Sequence, residues 1–186
     1  MKHFFTGTLL LICGLIAGCN QLTEFSISED NINHYLAKHI HYSKKIGITG
    51  IANASIDLAN LSTQIGRIEP NKITLTGIAN IKIKTLLGST YAEVSLSITS
   101  LPYFDIASGA IYLKELIISD NKITPEKITS TISPIILILN NSLKSYFEKN
   151  PVYLLQPKKN KTEALAKKIV KGVEVRPGKL VISLVE

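Results

Sequence analysis

The sequence predicts an α+β domain built on an antiparallel meander. Three observations carry this reading. From residue 48 to residue 124 the apolar period is two, broken by short polar or glycine-containing turns. Segments with helical apolar spacing flank that region on both sides. Isoleucine dominates the apolar set, which suits stiff aliphatic β-packing.

The elements follow in order. "FSIS" at residues 25–28 predicts a brief strand. Ser28 is placed to cap a helix, with Glu29 and Asp30 in the first turn, where the helix dipole favours acid. Ile32, Tyr35, Leu36, His39 and Ile40 fall on one helical face, and "KKIG" ends the helix with Gly47 as terminator. The period then becomes two. Ala54, Ile56 and Leu58 oppose Ser55, Asp57 and Ala59. Ile73, Leu75, Ala79, Ile81 and Ile83 oppose Thr74, Thr76, Asn80, Lys82 and Lys84. After the turn "TLLGST", Ala92, Val94, Leu96 and Ile98 oppose Glu93, Ser95, Ser97 and Thr99. Each strand thus has one dry and one wet face, and the short connections argue for antiparallel neighbours.

A turn at Ser108-Gly109 leads into another long strand. Thr124-Pro125-Glu126 predicts the start of a second helix, with a capping Thr and Pro at the first helical position. Its apolar stripe holds Ile128, Ile132, Ile135, Ile136, Leu139, Leu143 and Phe147, and Pro134 inside it predicts a kink. A short strand over residues 152–155, a third helix in "TEALAKKIVKG" ending at Gly172, and a hairpin turning at Pro177-Gly178 complete the chain. No internal repeat or low-complexity linker divides it, so residues 25–186 are expected to form a single α+β domain.

The first residues predict an address. Lys2 and His3 precede an apolar run, Phe4 to Ile16, too short to span a bilayer comfortably and right for a signal peptide. Ile16-Ala17-Gly18-Cys19 resembles the bacterial lipobox. By that resemblance residues 1–18 are a signal peptide cut between Gly18 and Cys19. Residues 19–24 then form a lipidated tether, with a diacylglyceryl group on the Cys19 sulfur and a further acyl chain such as palmitate on its amine. Two or more chains anchor a protein stably where one does not. Asn20, rather than Asp, implies the periplasmic face of the outer membrane. Cys13 leaves with the signal, so the mature chain has no disulfide. The membrane, reached through Cys19, is the expected partner.

Other classes are disfavoured. The chain carries net charge +7, but its lysines are dispersed, its aromatic content is 6%, and Arg67 and Arg176 are its only arginines. No nucleic-acid partner is expected from that pattern. His34, His39 and His41 stand five and two residues apart, which puts neither pair on one helical face, so no metal is expected. The glycine and histidine signatures of common hydrolases, nucleotide-binding proteins and zinc proteases are missing from the sequence, and the acids from Glu69 to Glu126 are spread singly. The chain is read as having no catalytic residues and no cofactor. "QIGRIEPNKITLTG" is read as a tight inter-strand turn with a local ion pair.

"CNQLT", "QIGRIEPNKITLTG", "GAIYLKEL" and "KKIVKGVEVRPGKLVI" together resemble the YceB family of enterobacterial lipoproteins, in order and with similar spacing. The resemblance runs from Cys19 nearly to Glu186. It implies a long curved antiparallel sheet wrapped around a long C-terminal helix. That arrangement is similar to the tubular lipid-binding (TULIP) folds, which hold lipids between sheet and helix. No activity comes with the family. By this analogy the candidate ligand groove comprises Ile56, Leu58, Ile73, Leu75, Ile81, Ile83, Val94, Leu96 and Ile98 from strands. Ile128, Ile132, Ile135, Ile136 and Leu139 join them from the helix. The same pattern also describes a filled core, in a lipoprotein that docks an envelope protein partner. Hydrophobic periodicity is identical in the two cases, because filling depends on volumes across facing layers.

Overall fold

The computed structural model describes residues 24–48, 51–158 and 161–184. The lipobox and Cys19 lie outside them. Strand β1 (Glu24–Ser28) takes in Glu24, the last residue read as tether, and leads directly into helix α1 (Glu29–His39). Ser28 caps α1 as expected, its hydroxyl oxygen accepting from the Asn31 N–H at 3.2 Å. The helix then stops earlier than its apolar face suggests. Tyr42–Ile48 is a strand, β2, and Gly47 lies inside it rather than ending a helix. The cause is pairing: Tyr42 and Ile46 are spaced as strand neighbours and sit opposite Leu58 and Ala54.

Four long strands follow: β3 (Ile51–Ile65), β4 (Ile73–Thr85), β5 (Gly88–Asp105) and β6 (Ala110–Thr124). With β2 and the two-residue β7 (Tyr153–Leu154) they form a sheet of order β2-β3-β4-β5-β6-β7, antiparallel throughout. The predicted dry face is dry: Ile73, Leu75, Ala79, Ile81 and Ile83 of β4 and Ala92, Val94, Leu96 and Ile98 of β5 are all buried. Thr74 and Thr99, expected on the wet face, are buried as well. They lie toward the end of β5 that packs against a second, smaller sheet.

Thr124 is the last residue of β6 rather than a helix cap. A single 3₁₀ turn, Glu126–Ile128, intervenes before helix α2 (Thr129–Phe147). Side chains bridge the first turns instead, with the Thr129 hydroxyl donating to the Glu126 carbonyl and Ser133 to Thr129. The helix is 19 residues long and is not the last element. Helix α3 (Lys161–Ile169) and the hairpin β8 (Val170–Arg176) and β9 (Lys179–Leu184) follow it. Gly172, expected to end the third helix, lies within β8. The turn at Pro177-Gly178 is where the sequence puts it, with Gly178 at φ 79°. The hairpin joins β1 in a sheet of order β1-β9-β8, so the first and last described strands pair with each other.

Helix α2 lies where the two edges of the large sheet approach each other. On one side the Asn140 side-chain oxygen accepts from the Ile118 N–H of β6 at 2.8 Å. On the other, the Tyr146 hydroxyl donates to the carbonyl of His41, next to β2, at 3.3 Å. The sheet is therefore curled, and Ile132, Ile135, Leu139, Leu143 and Phe147 of α2 are buried in its aliphatic interior. Among the described residues no helix is long and apolar enough to cross a membrane. Leu139 is fully enclosed, so Leu139→Ala is expected to lower unfolding free energy by about 2–5 kcal/mol. Urea denaturation should show this as a lower midpoint at unchanged slope.

Candidate functional site

The curled sheet brings the candidate groove residues together. Ile56, Ile73, Leu75, Ile81, Ile83, Val94, Leu96 and Ile98 from strands, with Ile132, Ile135 and Leu139 from α2, are buried in one cluster. Leu58, Ile128 and Ile136 are partly buried and pack against it. Sequence periodicity was sufficient to choose this face. Ile81 also borders an outer-face cleft of about 460 Å³, among Asp57, Lys82, Tyr91, Glu93 and Thr124.

The seam between β2 and α2 holds polar groups that the sequence reading passed over. Lys44 pairs opposite Ile56, so it shares the interior face of β2 with Tyr42 and Ile46. Its ammonium donates to the Ser142 hydroxyl of α2, a buried side chain. The Tyr42 ring packs edge-on against Tyr146 at 5.2 Å. Among the described residues the buried Tyr42 hydroxyl makes no hydrogen bond of good geometry, with the Ser142 hydroxyl its nearby polar neighbour. Burial pushes its pKa up, and the nearby Ser142 hydroxyl opposes that shift. The signal for this seam was Tyr42-x-Lys44-x-Ile46, a two-residue period in which one position is charged.

At the far end of the sheet α1 makes a polar junction. Glu29 accepts from the Ile65 N–H at 2.7 Å and from the Arg67 guanidinium at 2.8 Å. Asn33, one turn on, accepts from the N–H and the hydroxyl of Thr63, both at 2.7 Å. Gly178 donates to the Ile65 carbonyl at 2.8 Å and accepts from the Glu29 N–H at 3.1 Å. Gly178 sits at φ 79°, so the turn needs glycine for its positive φ, while the Arg67 guanidinium 2.8 Å from where a Cβ would stand is the movable end of a flexible side chain. Burial works against ionisation of Glu29, but the bonds from Arg67 and Ile65 outweigh it and hold the carboxyl below its ordinary value of 4.5. The "QIGRIEPNK" segment is the inter-strand turn expected of it, with Lys72 and Glu69 paired at 2.6 Å.

The histidines take no part in the interior. His39 stacks on Tyr35 with centroids 4.2 Å apart and bonds its carbonyl through Nδ1. His34 and His39 border a polar cleft of about 680 Å³ with Tyr35, Tyr153 and Glu163. There Tyr153 donates to the buried Glu163 carboxylate at 3.0 Å. Burial, together with that carboxylate, pushes the Tyr153 pKa up to about 12.

A curled antiparallel sheet closed by one helix over an aliphatic interior, with a second small sheet joining the first and last described strands, defines an α+β fold. A family model described as "Protein of unknown function (DUF1439)" matches residues 27–179, and the chain belongs to that family. It is 50% identical over 182 residues to "Uncharacterized lipoprotein YceB" of Salmonella typhimurium, and 46% identical to the protein of the same name from Escherichia coli. Each alignment covers 98% of both chains. Among solved structures, the crystal structure of lipopolysaccharide binding protein aligns at a TM-score of 0.32 and 10% identity, covering 87% of this chain and 49% of that one. Neither the family description nor the relatives' names assign a reaction.

The Glu29 junction has a pH signature. Its carboxyl is depressed in the folded state, so its stabilisation is complete above the unfolded value of 4.5 and is lost as pH falls through the folded value. Glu29→Gln should therefore be less stable than the parent protein near neutrality, with the gap closing below that value. Denaturant midpoints measured across pH check this. Glu29→Ala, which leaves the Ile65 N–H unpaired, is expected to cost about 1–3 kcal/mol at neutral pH.

Proposed function

We propose that the protein is a lipoprotein held by acylated Cys19 on the periplasmic face of the outer membrane. It holds a lipid or another hydrophobic ligand between the curled sheet and α2, as TULIP folds do. The lipobox at residues 16–19 and the lipoprotein family support the anchoring. The single observation that supports the ligand reading is Lys44. Lys44, an exposed cation on the edge strand whose ammonium reaches the buried Ser142 hydroxyl, would offer a polar contact beside the aliphatic interior. An amphiphile would set its polar end among Lys44, Ser142 and the Tyr42 hydroxyl. Its tail would run among the groove residues from Ile56 and Leu58 across to Leu139. Apolar burial would drive the binding, at roughly 25 cal/mol per Å² removed from water. Nothing in this mechanism needs a catalytic residue, a metal or a cofactor.

A second reading keeps the core filled and makes the domain a docking module for an envelope protein. The complete burial of Ile56, Leu75, Ile98 and Leu139 favours it. Ala79, a small residue on the interior face of β4, separates the two. With an open interior, Ala79→Leu leaves the melting temperature unchanged and abolishes uptake of a fluorescent fatty-acid probe. In a filled core the added methylene groups cost about 1–3 kcal/mol. Native mass spectrometry of the protein should find lipid retained after purification. A lipid-free protein that also takes up no probe would overturn the ligand reading in favour of docking.

A further inference from the structure

We infer that the β4–β5 hairpin tip is a membrane-contacting element that inserts Leu86 and Leu87 into an anionic lipid surface. Both leucines are 100% exposed. They are adjacent in sequence and lie at the tip of the β4–β5 hairpin, between Thr85 and Gly88. The tip is held in shape: the Thr85 hydroxyl accepts from the Leu87 N–H and donates to the Gly88 carbonyl, both at 3.2 Å. Two leucines presented by a hydrogen-bonded turn, with none of the described residues over them, suit burial in the acyl region of a bilayer.

The charges behind the tip choose the surface. Lys84 stands one residue inside Thr85, paired with Ser89. Two residues further in, Lys45, Ser55, Lys82 and Tyr91 form one row across the outer face. Lys82 lies over the Tyr91 ring at 5.1 Å, and that ring is 62% exposed. A tyrosine and lysines a few ångströms behind an apolar tip match the interfacial zone of a membrane with negative headgroups. The first acids on these described strands, Asp57 and Glu93, sit in the row of Asn80. That row is roughly 17 Å from Thr85 at about 3.3 Å per residue. This is about twice the screening length at physiological salt, so the tip presents positive charge to a surface it approaches.

The tip lies at one end of β4 and the sheet containing Glu24 at the other, about 40 Å away along a 13-residue strand. Residues 19–24 extend by less than about 20 Å. If the anchor and the tip share one bilayer, the domain reclines along it rather than standing on its tether. This inference does not depend on an open interior.

The test uses the full chain, acylated and reconstituted in vesicles. The sequence has two cysteines, one in the expected signal peptide and one expected to be acylated, so Ser89→Cys adds a single free thiol beside the tip. An environment-sensitive dye on that thiol should shift to the blue and be quenched by doxyl-labelled lipid in phosphatidylcholine–phosphatidylglycerol vesicles. Leu86→Ser with Leu87→Ser should lower that quenching by roughly tenfold, with an unchanged melting temperature. Lys82→Gln with Lys84→Gln should remove its dependence on phosphatidylglycerol. Co-flotation of the unlabelled protein with vesicles checks anchoring separately. A floated protein whose dye is not quenched, or is quenched equally with serines at the tip, overturns the proposal. So does a shift that appears without lipid and grows with protein concentration, which would assign the leucines to a second copy of the chain.

Discussion

Two side chains one helical turn apart stand in for a missing strand. Strand β2 pairs with β3 only as far as Leu58, and an irregularity then interrupts the β3–β4 ladder between Ala59 and Ser62, with Asn60 at φ 55°. Beyond it, the N–H groups of Thr63 and Ile65 bond Asn33 and Glu29 of α1. The fit is geometrical. Four helical residues rise about 6 Å, and two strand residues span nearly the same distance. Each bond satisfies a backbone donor that would otherwise be stranded at a covered sheet edge. Because Glu29 also engages Arg67, and its own N–H bonds Gly178, the same residue sets the small sheet against the large one.

The interior and the edge of the curled sheet follow different rules. Inside, aliphatic side chains meet across strands and helix, and stability comes from area removed from water. At the β2–α2 seam, by contrast, contact is carried by a lysine–serine hydrogen bond and a pair of tyrosine rings. Each polar group there pays desolvation that an aliphatic pair would avoid. A seam made this way is the weaker boundary of the barrel-like enclosure, and the opposite edge, fixed by Asn140 to a β6 N–H, is the stiffer one.

The strands between Ile73 and Ile98 were legible because their alternate residues meet different surroundings, which sequence records directly as a period of two. The interior face of the candidate site was legible for the same reason. Strand β2 was not. Lys44 breaks the apolar alternation, and in the sequence the apolar face of α1 runs on through Ile40, which masks the change of period. The start of α2 misled in another way: Thr124-Pro125 has the chemistry of a capped helix start, yet β6 pairing claims Thr124 opposite Glu93. The Glu29 junction joins residues 36 and more positions apart, and no local pattern encodes such a meeting. Leu86-Leu87 was visible as an apolar pair in a turn, but exposure is a property of the whole surface.

The pairing of the first and last described strands has a mechanical consequence. Strand β1 lies antiparallel to β9 along all five of its residues. Arg176 of β8 grips its first residue, Glu24, through two bonds of 2.8 and 2.7 Å. Under the proposed anchoring, a pull on the chain before Glu24 would load β1 from its first residue. Its bonds to β9 share that force in shear instead of opening one after another. Under the proposed anchoring, that load would fall first on β1 and β9, which hold each other, rather than on the curled sheet.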